Sequence, residues 1–251
     1  MASRRLRAIA LVIGVIGAAG AGDAACAQQS IGSTTVVQNQ VSHELAGASG
    51  PLVVGDAVYR NEVVRTGVDS RAKLVFLDST NLAVGPTSRI VLDRFVYQGD
   101  PNAEKVAVNL AKGVFRFTTG NLDKRAYTIT TPTAAIGVRG TVLDIAVRSA
   151  DTRVTLVEGL ALVCPRKAIS FDRQARNCAA AFGGSGKGRC DCALLEHAGQ
   201  TATARRVGGT TQASLTDTPV NFASVCAGDS SLCSGESYAS GYGPGGVLCG
   251  R

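Results

Sequence analysis

The residues of this sequence with the most defined chemistry are its cysteines, and they are unevenly distributed. Of the eight cysteines, Cys26 stands alone near the N-terminus, and the other seven occur at or after Cys164. In an oxidising compartment, cysteines at this density form disulfides by default. One residue separates Cys190 from Cys192, and a disulfide between them would close a strained ring, so we expect each to pair with a more distant cysteine.

The seven disulfide candidates are Cys164, Cys178, Cys190, Cys192, Cys226, Cys233 and Cys249. Spacing alone leaves their connectivity open, and an odd number predicts one thiol that is free, blocked or bonded to another chain, as in a disulfide-linked dimer. Zinc is the alternative, with Cys178, Cys190, Cys192 and His197 as ligands. Structural zinc sites use cysteines separated by two to four residues, so the single-residue spacer favours disulfides and no metal.

Three short motifs resemble parts of catalytic sites, but each is incomplete. Residues 183–187 resemble a nucleophile elbow whose last glycine is replaced by lysine, and residues 184–188 resemble a phosphate loop without its Ser/Thr. Residues 228–231 resemble the nucleophile segment of a serine protease without its second glycine. His43 and His197 have no base partner nearby in sequence. We therefore predict a protein that is not an enzyme and uses no cofactor.

The N-terminal segment has the three parts of a secretory signal peptide. Arg4, Arg5 and Arg7 precede an apolar run at residues 8–21, and Ala25-Cys26-Ala27 supplies the small residues of a cleavage site. The apolar run is too short to span a bilayer, which needs about 20 residues. We predict that residues 1–27 are removed, that the mature chain has no membrane span, and that it is periplasmic or secreted.

Composition divides the remaining chain in two. Residues 44–163 contain 39 Leu, Ile, Val or Phe in 120, whereas residues 164–251 contain 13 in 88 together with 14 glycines. The first segment can bury a core, and the second has too few large apolar residues to do so alone. We place a domain boundary between residues 163 and 164, with residues 28–43 as a polar lead-in. The charges interleave without a basic stripe, which argues against a nucleic-acid partner.

Residues 44–163 show the pattern of an all-β protein. Short runs rich in β-branched residues alternate apolar and polar side chains between turn-forming residues, and no segment with helical period reaches 12 residues. The predicted strands are residues 73–77, 81–84, 89–93, 105–110, 114–117, 127–130, 142–147, 154–157 and 160–162. This spacing fits a sandwich, a barrel or a solenoid.

An ordered series of motifs over residues 55–163 resembles a known family. The motifs are Gly55-Asp56-Ala57-Val58, residues 64–72, residues 77–88, residues 111–115, residues 131–141 and Val157-Glu158-Gly159. In this order they are similar to a FecR-type domain, the periplasmic module named after the iron-citrate regulator family. The resemblance implies a solenoid-like stack of short strands in the periplasm, followed here by a Gly- and Cys-rich, loop-rich, disulfide-linked tail.

The most specific motif predicts a structural role for its residues. The residues concerned, with the closing glycine of the domain, are Pro132, Gly137, Arg139, Gly140, Thr141 and Gly159. Gly137 and Gly140 could adopt positive φ or permit close backbone packing, Arg139 should point outward, and Thr141 should begin the next strand after a turn. We expect Gly140→Val to lower the melting temperature strongly.

Members of that family usually carry a cytoplasmic sigma-factor-binding segment and a transmembrane helix before this domain. Here the domain follows soon after the predicted signal peptide, so we do not expect the anti-sigma function to carry over. The sequence favours a non-catalytic, exported protein with a binding or scaffold role toward a protein or other component of the bacterial cell envelope. The alternative is a periplasmic signalling component linked to iron or metal uptake that acts with a separate membrane partner.

Overall fold

A computed structural model of the chain describes residues 30–95, 106–121, 127–167, 171–178, 182, 190–227 and 229–235. It contains fifteen strands, two short helices, α1 (Phe171–Ala175) and α2 (Ala223–Cys226), and a 3-10 helix at Ser230–Leu232. The strands are β1 (Ser30–Gln38), β2 (Val41–Leu45), β3 (Ala48–Pro51), β4 (Ala57–Tyr59), β5 (Val63–Thr66), β6 (Arg71–Phe76), β7 (Asn81–Val84), β8 (Arg89–Phe95), β9 (Val106–Thr118), β10 (Tyr127–Thr130), β11 (Ala134–Val147), β12 (Asp151–Pro165), β13 (Ala193–Leu195), β14 (Thr201–Val207) and β15 (Thr210–Thr216). The predicted all-β fold is confirmed.

All fifteen strands belong to one open sheet. Its main path runs β15-β14-β12-β11-β10-β9-β7-β6-β1-β4, with β13 joined to β12 and with β2, β3, β5 and β8 joined beside it. Nearly all described pairings are antiparallel, and the exception is the parallel pair of β9 with β10. This order keeps most strands next to a neighbour in sequence, as expected for a chain built from successive turns.

Three long strands continue through positions where the sequence predicts a break. β9 runs through Gly113, β11 through Gly140 and β12 through Gly159, and all three glycines have positive φ, at 119°, 56° and 89°. Each strand changes at least one neighbour at its glycine, while β11 and β12 stay paired with each other on both sides. The first half of β9 pairs with β8 and β10, for example, and the second half pairs with β7 and β11.

The main core lies on one face of this sheet. Alternate residues of the central strands are fully buried there, among them Leu74, Leu82, Phe115, Phe117 and Leu143. Because side chains alternate between faces along a strand, the neighbours Lys73, Ala83, Arg116 and Asp144 must point to the opposite face. That second face therefore carries charged groups and needs a cover with polar partners.

Part of the C-terminal region extends the same sheet. The predicted boundary between residues 163 and 164 falls inside β12, and β13 and β14 both pair with that strand. At the end of β12, Leu162 and Cys164 pack on the second face against Ala175 and Phe171 around α1. The division of the chain into two domains stays a prediction, whereas the sheet itself is continuous across it.

A segment that we call the strap, residues 217–235 without residue 228, covers much of the second face. The Val220 amide donates to Thr155 Oγ1 of β12 at 2.8 Å, and the Phe222 amide donates to Asp144 Oδ2 of β11 at 3.2 Å. Farther along, Gln38 of β1 donates to Asp229 at 2.8 Å. The strap thus crosses the sheet from β12 to β1.

Phe222 is the apolar anchor of the strap. It is fully buried in a cluster with Val36, Ala83 and Leu232, and the Arg116 guanidinium lies over its ring at 5.7 Å from the centroid. Arg116 also donates to both oxygens of Asp144, at 2.7 and 2.8 Å. The strap therefore supplies the apolar cover and the buried charges supply its hydrogen bonds, so this region needs no large core of its own.

Lys73 is the polar anchor of the strap. The side chain is completely buried, and Nζ donates to the carbonyl oxygens of Ser231 and Ser234 at 2.8 and 2.7 Å. These carbonyls lie at the end of the 3-10 helix, where backbone acceptors lack helical partners. One buried cation of the sheet thus fixes the end of the strap.

We expect Lys73→Met to destabilise the protein by about 2–3 kcal/mol, since it removes the charged hydrogen bonds of a buried ammonium group to two backbone carbonyls. Hydrogen exchange should show lost amide protection at residues 229–235 before the rest of the sheet is affected. The matched control is Lys112→Met at an exposed lysine, which should stay within about 0.5 kcal/mol of the parent. Unchanged protection of residues 229–235 in Lys73→Met would contradict this role.

Candidate interaction surface

An open groove of about 620 Å³ lies beside β1, β2 and β5. Apolar lining comes from Val37, Val41, Leu52 and Val53, and Arg65 contributes the charged part of the lining. Val53, Val54 and Val68 are 53%, 61% and 76% exposed, although large apolar side chains are usually covered. Val53 lines the groove, and Val54 and Val68 directly follow the lining residues Val53 and Gly67 in sequence.

Turns with unusual backbone conformation shape this groove. Asn39 and Asp69 adopt positive φ, at 59° and 56°, and asparagine and aspartate tolerate this region better than most residues. Asn39 Nδ2 donates to the Asp69 carbonyl at 2.6 Å, and the Gln40 amide donates to Ser70 Oγ at 3.1 Å. These bonds join the corner after β1 to the loop after β5, so the walls of the groove are held in place without a ligand.

The floor behind the groove is fixed by a buried threonine. Thr66 Oγ1 donates to the Gly85 carbonyl at 2.7 Å and accepts from the Ser88 amide at 2.9 Å. At the surface, Arg65 pairs with Glu44 at 2.8 Å, with both side chains 41% exposed. An exposed pair of this kind contributes little stability but is available to a partner. The groove is suited to binding an apolar segment of a protein.

His43 has a partner that lies far from it in sequence. Its Nδ1 lies 2.5 Å from Glu62 Oε1, and the other oxygen of Glu62 accepts from the Tyr59 amide at 2.6 Å. Glu62 is completely buried, whereas the His43 side chain is 31% exposed. Nineteen residues separate the two in sequence, and only the pairing of β2 with β5 brings them together.

The motif residues that the sequence analysis singled out lie along β11 and β12. Pro132 precedes β11 between two buried threonines, Thr131 and Thr133, whose hydroxyls both contact Thr152 at 2.8 Å. Gly137 is buried under α1, and a Cβ there would overlap the Phe171 ring. Gly137 thus leaves space on the second face for the C-terminal region to pack.

The remaining motif residues form a β-bulge and not the predicted turn. Gly140 and Thr141 on β11 oppose the single residue Gly159 on β12. Arg139 is exposed, as expected. The buried Thr141 hydroxyl accepts from the Arg139 amide and donates to the Leu160 carbonyl, both at 2.8 Å. This side chain replaces the ladder bonds that the bulge removes.

Six of the seven candidate cysteines pair as predicted, and Cys249 lies outside the described residues, as does Cys26. The disulfides are Cys164–Cys192, Cys178–Cys190 and Cys226–Cys233. Cys190 and Cys192 take separate distant partners, which confirms that expectation. The sulfur atoms of Cys178, Cys190 and Cys192 lie within 4.8 Å of one another, so the two bridges are adjacent. The odd thiol stays a prediction.

The motifs with incomplete catalytic patterns have different outcomes. Residues 183–188 lie outside the described part of the chain. At the other motif, Asp229 precedes the 3-10 helix and its Oδ1 accepts from the Ser231 amide at 2.9 Å and from the Ser231 hydroxyl at 2.5 Å. This carboxylate therefore caps the 3-10 helix. His197 is exposed, with its amide bonded to Gln200 Oε1 at 3.0 Å.

The cap predicts a pH dependence of the strap. The Ser231 hydroxyl and amide lower the pKa of Asp229 below its ordinary value of 3.8, with smaller effects of Gln38 and Lys73 in the same direction. Because the folded-state pKa is the lower one, the stabilisation is complete above pH 3.8 and is lost as pH falls through the folded value. The protection factors of the Ser230–Leu232 amides, which correct for the slower intrinsic exchange in acid, should therefore fall on acidification, and Asp229→Asn should remove that pH dependence. An identical acid response in Asp229→Asn would contradict the assignment.

Residues 62–162 match the family described as FecR protein. Two solved structures are similar to this chain, both of a protein from Parabacteroides distasonis ATCC 8503 named "putative anti-sigma factor", at 1.65 and 2.50 Å resolution. Each has 10% identity and a TM-score of 0.41, and the match covers 62% of this chain and 60% of the solved one.

No curated protein matches the sequence. The FecR match begins one residue before β5 and ends within β12, so it contains the bulge and part of the groove. It agrees with the resemblance that the motifs predict, with a start at residue 62 where the motifs begin at residue 55. Residues 62–162 of this chain are a FecR domain.

Proposed function

We propose that this protein is a non-catalytic, exported binding protein of the bacterial cell envelope that engages an apolar segment of a protein partner through the groove beside β1, β2 and β5. The observation that carries the proposal is the apolar lining of the groove, which includes Val37, Leu52 and the exposed Val53, between walls that hydrogen bonds hold in place. A preformed site of this kind loses little conformational entropy on binding.

Export is supported by the N-terminal sequence and by the cysteines. Residues 1–27 have the order of a signal peptide, and they lie outside the described residues. Three disulfides fit an oxidising compartment such as the periplasm. Within the described part of the chain, no helix has the length and apolar character needed to cross a bilayer.

The FecR match favours a second candidate function. A FecR domain implies regulation through protein partners, so the same groove could receive a membrane-bound partner in a signalling pathway linked to iron or metal uptake. In that case binding should depend on iron supply, whereas a constitutive scaffold should bind equally in iron-rich and iron-depleted cells. Nothing in the groove itself selects iron chemistry.

Site-specific photo-crosslinking in living cells tests the proposal. A photoreactive amino acid at Val54 or Val68 should yield an adduct with one envelope protein, and the same label at the exposed Glu196, away from the groove, should not. Val68→Asp should abolish the adduct formed from position 54 while leaving the melting temperature unchanged. Equal adducts from all three positions, or none from the groove, would refute the groove as the binding site.

Fractionation and iron supply separate the remaining parts of the proposal. The mature protein should appear in the periplasmic or secreted fraction, shortened by about 27 residues as the cleavage-site pattern predicts. Retention in the cytoplasm would contradict export independently of the groove. An adduct that appears only on iron depletion would favour the signalling role over the scaffold role.

A further inference from the structure

The outermost strand of the sheet, β15, has an uncovered edge. Within the described residues, β3, β4, β13 and β15 each pair on one side only. β3 ends in Pro51, and β4 and β13 have three residues each, which limits pairing with another chain. β15 has seven residues, TTQASLT, with no charge and no proline. It lacks the features that normally protect a long edge strand.

The turn before β15 determines which of its backbone groups face outward. β14 and β15 are joined by Gly208 and Gly209, with φ of 55° and 80°, and Val207 opposes Thr210 across this two-residue turn. In such a hairpin the closing pair is hydrogen bonded and the bonded pairs then alternate along the ladder. Thr211, Ala213 and Leu215 therefore direct their amides and carbonyls away from β14.

The outer side of β15 also leaves apolar surface in contact with solvent. Leu215 opposes the buried Ala202 and so lies on the core face of the sheet, yet it is 58% exposed. Ala213 packs partly on the core from the same face. The open groove of about 400 Å³ beside the strand is lined mainly by polar and charged residues, and Leu215 is the apolar residue in its lining. Within the described part of the chain, Leu215 therefore leaves apolar surface exposed at this edge of the sheet.

These observations favour a second copy of the chain as the partner that pairs with the outer edge of β15. The three outward-facing residues are symmetric about Ala213, so a two-fold axis there would pair Ala213 with itself and Thr211 with Leu215 of the second copy. Each of these three pairs would exchange two hydrogen bonds, and every outward amide and carbonyl of β15 would be satisfied. No like charges oppose each other in this register, because the strand has none.

Charge at the two ends of β15 supports the antiparallel arrangement. Arg206 lies on β14 beside the turn, and Asp217 follows the other end of β15. With Ala213 on the axis, Thr216 opposes Thr210 of the second copy, which brings Asp217 toward the turn that carries Arg206 there. The same approach occurs twice by symmetry. A parallel strand from a second copy would instead align the arginines with each other.

We propose that the protein forms a two-fold symmetric dimer in which the β15 strands of two copies pair antiparallel about Ala213. The dimer joins two open sheets into one continuous sheet and covers Leu215 of each copy. It uses an edge that is separate from the groove beside β1, β2 and β5, so two binding grooves would be carried by one dimer.

Disulfide trapping tests the register. All variants are made as full-length chains with Cys26→Ser and Cys249→Ser, so that neither cysteine outside the three disulfides can link two chains. Ala213→Cys should form a covalent dimer, because directly opposed hydrogen-bonded residues have Cα atoms about 5.5 Å apart, within the range of a disulfide. Gln212→Cys is the matched control, since Gln212 opposes Ser214 of the second copy, and it should remain monomeric on non-reducing gels.

Sedimentation measures the dimer without a cross-link. The chain with Cys26→Ser and Cys249→Ser should show twice the monomer mass at micromolar concentration, and Ala213→Pro should weaken the dimer at least about tenfold by removing two hydrogen bonds. Proline is tolerated there because the lost amide faces away from β14. If Ala213→Pro lowers the melting temperature, the test uses Leu215→Lys in its place. That substitution adds a charge to the edge strand and should weaken the dimer.

Three outcomes would overturn the proposal. They are a monomeric chain with Cys26→Ser and Cys249→Ser, a dimer that survives both Ala213→Pro and Leu215→Lys, and cross-linking as strong from Gln212→Cys as from Ala213→Cys. A stable monomer that pairs β15 with a strand of another protein belongs to the first outcome and would replace the second copy by a different partner.

Discussion

Gly159→Ala should destabilise the protein by about 3 kcal/mol or more, which corresponds to a melting temperature lower by roughly 10 °C. Gly159 has φ of 89°, and a Cβ there would overlap the Gly140 carbonyl oxygen and approach Thr141 Cα. Both obstacles are backbone, so no side-chain rotation relieves them. The bulge would have to open, and the Thr141 hydroxyl would lose its bond to the Leu160 carbonyl.

Gly140→Ala is the matched control for this prediction. It places Cβ in the same bulge, at φ of 56°, but no atom lies within 4 Å of the new methyl group. Its cost is therefore the conformational cost alone, about 1–2 kcal/mol. Gly140→Val should cost more than Gly140→Ala, because a β-branched residue fits positive φ poorly. Thermal denaturation of all three variants measures the difference, and equal losses for Gly159→Ala and Gly140→Ala would show that overlap is not the cause.

Phe222→Ala should cost about 3–5 kcal/mol, the range for removal of a fully buried aromatic ring. Phe222 is the point where the strap meets the second face, between the apolar side chains of Val36 and Ala83 and under the Arg116 guanidinium. Its removal opens a cavity beside the Arg116–Asp144 pair and leaves that pair more exposed to water. The strap should detach while the main core on the other face stays folded.

Hydrogen exchange distinguishes this local effect from global unfolding. Amides in the strap should lose protection in Phe222→Ala, whereas amides of β6, β7 and β9 should keep most of theirs. Val225→Ala, at a half-buried position of the same strap, should change protection only slightly. A uniform loss across the sheet would instead show that the second face is required for the sheet itself to fold.

The sequence by itself determined the secondary structure class and the family pattern. Alternating β-branched segments predicted strands at β6, β7, β8 and β10 close to their observed bounds, because a half-buried strand has the same two-residue period wherever it lies. The motif at residues 131–141 predicted the domain that the family match then identified. Among the cysteines, the one-residue spacing correctly favoured distant partners for Cys190 and Cys192 over a bridge between them.

Only the tertiary structure decided what the glycines and the C-terminal region do. In the sequence, Gly113, Gly140 and Gly159 predict turns between separate strands, but in the structure each lies within one continuous strand. Whether such a glycine ends a strand or continues it depends on which neighbouring strands pair on either side of it. The pairing of Lys73 with Ser231 and of Asp144 with Phe222 spans 158 and 78 residues, so local patterns contain no trace of it. The composition of residues 164–251 predicted too little apolar surface for an independent core, and that stays a prediction. In the structure, the strap and α1 pack on the second face of the sheet. Their apolar side chains are therefore buried against the strands and not in a core formed by this region alone.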